Sequence, residues 1–387
     1  MRYFYGEFDG SEFPTPDKLF GFDQLMQFIL QYGEQAMRAI EEMLRDPKNN
    51  VQSELLAKLI EDGLIEKDAN GKVHLTPRAV SRVQIKALGE VFEGLRQGQR
   101  EGHVKITAGH GGDRIEGTRP YQYGDDVSEI DLHETLRNAL RRHGLPAPGA
   151  AGPLIRVAEH DFEMHLHEGT TNCSTVVLLD MSGSMMRAGR FLAAKKVSLA
   201  MQALVRGRFP QDSLDFVGFY SGAGRIPEAL LPLAMPKPVS IYDYEVRLRV
   251  KLDQIEDAPQ HFTNLHMGLQ MARRLLKRRP AENKQVLIIT DGQPTAHVEG
   301  DYVYLLYPPD ERSTVATLKE AALAVRDGIR ISTFALIEDY WGMEWVGFVE
   351  QLTRLTKGIS FYTNSESLAS CVMESYLTGR KKKMYIA

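Results

Sequence analysis

Five oxygen-bearing side chains stand out by type and spacing. Asp180, Ser182 and Ser184 alternate along Asp180-Met181-Ser182-Gly183-Ser184, at the end of the apolar run STVVLLD. Side chains at i, i+2 and i+4 converge when the loop between them curls, and Gly183 leaves the backbone free to do so. Two more oxygen donors come later. Thr263 precedes a helical stretch, and Asp291 ends a second apolar run, QVLIIT, within Thr290-Asp291-Gly292. Hard oxygen donors without thiolate or imidazole suit an octahedral divalent cation, Mg²⁺ or Mn²⁺. Two carboxylates balance the ion's charge while three neutral hydroxyls leave it electrophilic, so a sixth position is able to accept a carboxylate from a partner protein. Each hydroxyl taken singly would also serve to cap a following helix. Capping does not account for two aspartates at strand ends, so metal binding is the expectation.

Such a site needs a scaffold that returns distant strand ends to one edge. From about residue 154 the pattern alternates between strands and helices. Strands are expected at 154–167, 174–180, 213–220, 285–290, 329–336 and 358–363, and helices at about 190–206, 264–278, 314–327, 344–356 and 366–377. Runs as apolar as STVVLLD and QVLIIT are typical of central parallel strands covered on both faces. The alternation predicts an α/β fold, a doubly wound, mostly parallel sheet flanked by helices. Residues 296–313 interrupt the rhythm and are expected to form a loop or hairpin over the sheet's C-terminal edge, where ligands bind in such folds.

Asp-x-Ser-x-Ser with a later Thr and Asp is the metal-ion-dependent adhesion site pattern, and residues from about 172 to 378 resemble a von Willebrand factor A (vWA) domain. The resemblance implies that Ser182, Ser184 and Thr263 contact the metal, and that Asp180 and Asp291 act directly or through water. The preceding segments, RPYQYGDDVSEIDLHETLRNAL and DFEMHLHEGTTNCSTVVLLD, are similar to intracellular bacterial vWA proteins of the CoxE type. Those are often encoded beside MoxR-type AAA+ ATPases. The resemblance therefore implies a non-enzymatic, Mg²⁺-dependent adaptor that meets an acidic residue of a AAA+ ATPase, or of its client, at the metal.

Upstream, one helical stripe is expected from Lys18 to about Arg45, formed by Leu19, Phe22, Leu25, Met26, Ile29, Leu30, Met37, Ile40 and Leu44. The following unit reads as helix, strand, Asn70-Gly71 hairpin, strand and helix, and resembles a winged-helix fragment. Residues 51–100 carry eight basic and seven acidic residues, whereas a DNA-reading surface concentrates positive charge. A small packing or protein-contact module is therefore expected, with DNA binding as the alternative. Residues 97–125 are rich in glycine and charge and are expected to form a linker or loop. They lack the Gly-Lys-Ser/Thr of a phosphate-binding loop. A helix over 129–142 and a Pro/Gly cluster behind it complete the division into an N-terminal module (1–100), a linking segment (101–153) and the metal-binding domain (154–387).

Composition narrows the function classes. The 387 residues carry a net charge of −4, which disfavours bulk nucleic-acid or membrane-surface binding. Two cysteines, Cys173 and Cys371, exclude a disulfide framework and a Cys-rich zinc site. The opening MRYFYGEFDG has no apolar signal core, and no uncharged apolar run approaches membrane-spanning length, so a cytoplasmic location and no membrane partner are expected. A hydrolase using the same cation is the competing reading, with Glu299 or Asp301 as general base. His165 and His167 share a face of an expected strand with His160 nearby, but no third ligand stands at zinc-protease spacing. Asp125 and Asp126 suit a turn or cap, Arg273, Arg274, Lys277, Arg278 and Arg279 suit a helix C-terminus, and the Arg380–Lys383 tail suits a solvated end.

Overall fold

The computed structural model describes residues 22–45, 59–68, 72–96, 114–121, 130–144, 157–167, 172–281, 283–337 and 346–381. The chain divides into two compact units: residues 1–99 with 173–379, and residues 100–172 with 380–387.

In the first unit, α1 (Phe22–Tyr32) and α2 (Glu34–Arg45) precede a small hairpin of β1 (Ile65–Lys67) and β2 (Val73–Leu75), then α3 (Pro77–Arg96). The hairpin is antiparallel, as its sequence predicts, while Asn70 and Gly71 at its turn lie outside the described residues. The single stripe expected over 18–45 is two helices. Gly33 breaks it with a φ of 54°, and a Cβ there would sit 2.5 Å from the Leu233 carbonyl oxygen and from Met235 Cγ. Glycine is required both by the left-handed backbone and by this close approach.

In the second unit, β3 (Arg114–Pro120) pairs antiparallel with β4 (Glu163–His167), and α4 (Leu132–His143) lies between them in sequence. Strand β3 falls inside the stretch expected to be irregular. Its glycine tolerates a strand because the register shifts between Ile115 and Thr118, a bulge that absorbs Gly117. Of the strand expected at 154–167, residues 154–156 lie outside the described residues, and among the described ones only 163–167 are strand. Asp161 instead closes a short 3-10 turn, where Arg142 Nε and Nη2 grip its two oxygens at 3.0 and 2.5 Å. The Arg142 hydrogen bond holds the Asp161 carboxyl down at about 2. Asp125 and Asp126 lie outside the described residues.

The remainder of the first unit carries the large sheet. Its strands are β5 (Cys173–Asp180), β6 (Ser213–Phe219), β7 (Ala223–Ile226), β9 (Asn283–Thr290), β12 (Ile329–Leu336) and β13 (Ile359–Thr363), in the spatial order β13-β12-β9-β5-β6-β7. All neighbours run parallel except β7, which returns antiparallel along β6 at the edge. The connecting helices are α5 (Arg190–Arg208), α6 (Leu265–Lys277), α7 (Glu311–Arg326), α8 (Val346–Thr356) and α9 (Leu368–Lys381). Every residue of β5 is buried, and its side chains alternate between two cores. Val177 and Leu179 join α1, α2, α3, α5 and α9, whereas Val176 and Leu178 join α6, α7 and α8. The expected insertion is a hairpin, β10 (Ala296–Glu299) and β11 (Tyr302–Tyr307). It adds β8 (Val246–Lys251), unforeseen in the sequence, to make a separate three-stranded sheet. Among the described residues no helix is long and apolar enough to cross a membrane.

The N-terminal helices thus complete one face of the large sheet. Lys195 of α5 is fully buried and donates to the carbonyls of Leu30 (2.7 Å) and Pro232 (3.1 Å), and Gln84 of α3 donates to Gln202 of α5 at 2.7 Å. Desolvation pushes the Lys195 ammonium down to about 7. Gly33→Ala is expected to lower unfolding stability by about 2 kcal/mol or more, since it adds backbone strain and overpacking together. Chemical denaturation of both proteins measures it, and an unchanged midpoint would remove this account of the α1–α2 break.

Candidate metal centre

Chain order makes β5 the point at which the sheet reverses direction. From β5 the chain goes to β6 on one side and later returns to β9 on the other. Ligand crevices in open α/β sheets lie beyond the carboxyl ends of strands at such a point. Asp180 is the last residue of β5, and Thr290 is the last of β9 with Asp291 directly after it. The strands pair in parallel with Leu179 opposite Ile289, so their ends meet. There Thr290 Oγ1 donates to Asp180 Oδ2 at 2.6 Å.

The loop after β5 curls as its sequence suggests, but Gly183 serves it differently. Its φ is not positive; a Cβ would instead meet Val239 Cγ2 at 2.5 Å and His261 Cβ at 3.2 Å. The Ser182 N–H donates to Asp180 Oδ1 at 2.8 Å and the Gly183 N–H to the His261 carbonyl at 3.0 Å. Ser184 Oγ donates to Asp291 Oδ1 at 2.8 Å and lies 3.1 Å from Ser182 Oγ. With the Ser184 proton committed to Asp291, Ser182 is the donor of that second contact. Asp180, Ser182, Ser184 and Asp291 are therefore joined in one hydrogen-bonded chain, buried except at the half-buried Ser184.

Thr263 reaches the same edge through its backbone. Its N–H donates to Thr295 Oγ1 at 2.8 Å, and its carbonyl accepts from the N–H groups of Thr295 and Ala296. The chain of Ser182, Ser184 and Asp291 does not include its hydroxyl. Capping does not occupy that hydroxyl either, because the N-cap of α6 is Asn264, whose side chain accepts from the Met267 N–H at 3.0 Å. Ser182 stands at the N-cap of a 3-10 turn yet makes no side-chain cap bond. Helix capping thus leaves the Ser182 and Thr263 hydroxyls unexplained.

Three contributors were not singled out in the sequence. Thr290 adjoins Asp291 and could have been read from the hydroxyl preceding it. Asn264 could have been read as a cap. Arg190, the first residue of α5, donates from Nη1 to Asp291 Oδ2 at 2.8 Å, a contact that depends on the chain's path and leaves no local signal. The other candidates fall elsewhere. Glu299 and Asp301 flank the turn of the β10–β11 hairpin and hydrogen-bond to none of the five residues. His165 Nδ1 lies 3.4 Å from Asp131 Oδ2, and His160 Nε2 lies 3.9 Å from Asp161 Oδ1. Arg273 and Lys277 pair with Asp327, and Arg279 with Asp215.

A family model described as "Rv0959-like protein, vWA domain" matches residues 173–377, more than half of the chain, and spans every strand of the large sheet. The chain belongs to this vWA family. A second model, the third domain of the same Rv0959-like proteins, matches residues 113–166, the strand pair and helix of the second unit. An uncharacterised protein of Mycobacterium tuberculosis, Rv0959, is 29% identical over 337 residues, covering 85% of this chain and 45% of its own length. Its Mycobacterium bovis counterpart, Mb0984, matches to the same extent. The chain spans about half the length of these curated relatives. Similar solved structures include the PilB minor pilin of Streptococcus sanguinis (15% identity, 60% of this chain and 67% of that one, TM-score 0.41). Another is the vWF domain of the pili tip protein Mfa5 of Porphyromonas gingivalis (15% identity, 54% and 96%, TM-score 0.37). A vWA domain suggests a role in protein interaction.

Burial makes a charged Asp180 costly at this edge. Asp180 is fully buried, and burial, reinforced by the Asp291 carboxylate, pushes its carboxyl from 3.8 up to about 7. Between those values the folded protein retains a proton that the unfolded chain releases, so stability falls as pH rises through that window. In EDTA the unfolding free energy is expected to decline from about pH 4 to about pH 7, and Asp180→Asn to be more stable than the parent at the upper end by on the order of 2 kcal/mol. Denaturant titrations across that range measure both. A parent protein as stable at the upper end as at the lower, with no gain from Asp180→Asn, would contradict the burial cost.

Proposed function

We propose that Asp180, Ser182, Ser184, Thr263 and Asp291 hold one divalent cation, Mg²⁺ or Mn²⁺, and that the vWA domain uses it to capture an acidic residue of a partner protein. The observation that carries this reading is the pair of carboxylates, Asp180 and Asp291, gathered at the switch point of the sheet beside hydroxyls that no cap requires. Buried like charges linked through one hydrogen-bonded loop fit a small cation better than any role within the fold alone. The donor set is all oxygen, as these ions prefer. When bound, the cation supplies an electrophilic coordination position open to a carboxylate. The chain's own groups do the rest. Thr290 and the Ser182 N–H fix both oxygens of Asp180, and Arg190 fixes one oxygen of Asp291, so the other faces the serine hydroxyls.

The partner in this proposal is a AAA+ ATPase of the MoxR type, or that machine's client, as the resemblance to CoxE-type proteins implies. The same reading is of a non-enzymatic adaptor working in the cytoplasm. Two cysteines in 387 residues, both free, accord with a reducing compartment.

Titration of the purified chain with Mg²⁺ in a calorimeter tests the cation directly. A single site is expected, weakened at least tenfold in Asp180→Ala, since about 1.4 kcal/mol of lost binding energy is tenfold in affinity. Identical binding by Asp180→Ala would end the assignment of the site. Capture of a co-expressed AAA+ ATPase on the immobilised chain is expected in Mg²⁺ and not in EDTA; equal recovery in both would remove the metal-bridged partnership.

A further inference from the structure

Arg190 shares its carboxylate with the candidate metal site. Its guanidinium Nη1 lies 2.8 Å from Asp291 Oδ2, while Asp291 Oδ1 accepts the Ser184 hydroxyl, also at 2.8 Å. The Asp291 side chain has no exposed surface and that of Arg190 is 12% exposed, so little water or salt screens the pair. One oxygen of Asp291 thus serves the hydroxyl chain and the other a fixed positive charge.

Resting on the cation proposal above, we infer that Arg190 is a built-in counter-charge that keeps divalent-cation affinity low in the free protein. A guanidinium and a divalent ion that share one buried carboxylate repel each other, because poorly screened charges interact strongly over short distances. Asp180 and Asp291 supply two negative charges. The ion would have to share the Asp291 carboxylate with the Arg190 guanidinium already paired to it. An incoming carboxylate from an acidic partner offsets the repulsion between ion and guanidinium, so cation and partner reinforce each other's binding. The arginine also explains how the cation-free protein tolerates a buried Asp291 carboxylate, which is ion-paired rather than isolated.

A role confined to holding Asp291 in place has the opposite sign, since loosening a ligand weakens metal binding. Titration of the full chain with Mn²⁺ alone, followed by the electron paramagnetic resonance of the free ion, separates the two. Arg190→Gln keeps a hydrogen-bond donor and loses the charge, and is expected to bind Mn²⁺ roughly tenfold or more tightly than the parent. Arg190→Lys keeps the charge and is expected to stay within about threefold of it. Affinity unchanged or reduced in folded Arg190→Gln would overturn the counter-charge. If that variant does not fold, Arg190→Lys still decides, because a tenfold gain with the charge retained would overturn it equally. Absence of Mn²⁺ binding in the parent and in both variants would instead remove the cation proposal itself. Binding by Arg190→Gln alone would support both.

Discussion

Parallel pairing of β5 with β9 is the constraint on which the site depends. It brings two chain segments more than a hundred residues apart to a common end, so that Asp180 and Asp291 are linked through Ser182 and Ser184. Neither carboxylate could be held there by its own loop. Asp180 is fixed by Thr290 from β9 and by the Ser182 N–H from the loop after β5, so the pairing and the side-chain bonds enforce each other. Removing two carboxylates from water is unfavourable unless charge compensates it. The free protein uses Arg190 for one of them and raises the proton affinity of the other.

Packing keeps this arrangement rigid. The central strands are covered on both faces, by α6, α7 and α8 on one side and by α5, α9 and the N-terminal helices on the other. The N-terminal helices are therefore structural to the vWA domain: the core that encloses Val177 and Leu179 also contains Ile29, Ile40 and Val83. A second line of support runs from α1 through Gly33 to Leu233 and Met235, and onward to Lys237, whose N–H donates to the Met181 carbonyl. The loop after β5 is held by this segment, and Val239 leaves room at Gly183 for nothing larger than glycine.

The parallel sheet was legible in the sequence, and the five candidate residues could be picked out there, because both rest on local pattern. Apolar runs such as STVVLLD mark central strands, and Asp-x-Ser-x-Ser at a strand end is a spacing that needs no tertiary information. What escaped depends on long-range contact. The break at Gly33 is invisible to helical periodicity because Leu233 and Met235 impose it. Strand β8 was missed because its alternating Arg247, Arg249 and Lys251 resemble a solvated segment until β11 pairs with it and Arg249 stacks on Tyr302. Strand β3 was masked by glycine in a stretch of loop-like composition. Arg190 reads as an ordinary helix residue until the return of β9 places Asp291 beside it.

The central claim is that a divalent cation belongs between these carboxylates and hydroxyls. Crystals of the full chain grown with Mn²⁺ and measured at the manganese absorption edge test it most directly. The account predicts one anomalous peak within coordination distance of Ser182, Ser184, Thr263 and an aspartate oxygen of Asp180 or Asp291. Well-ordered density for all five side chains with no anomalous peak among them, at Mn²⁺ concentrations that fill ordinary protein sites, would contradict it.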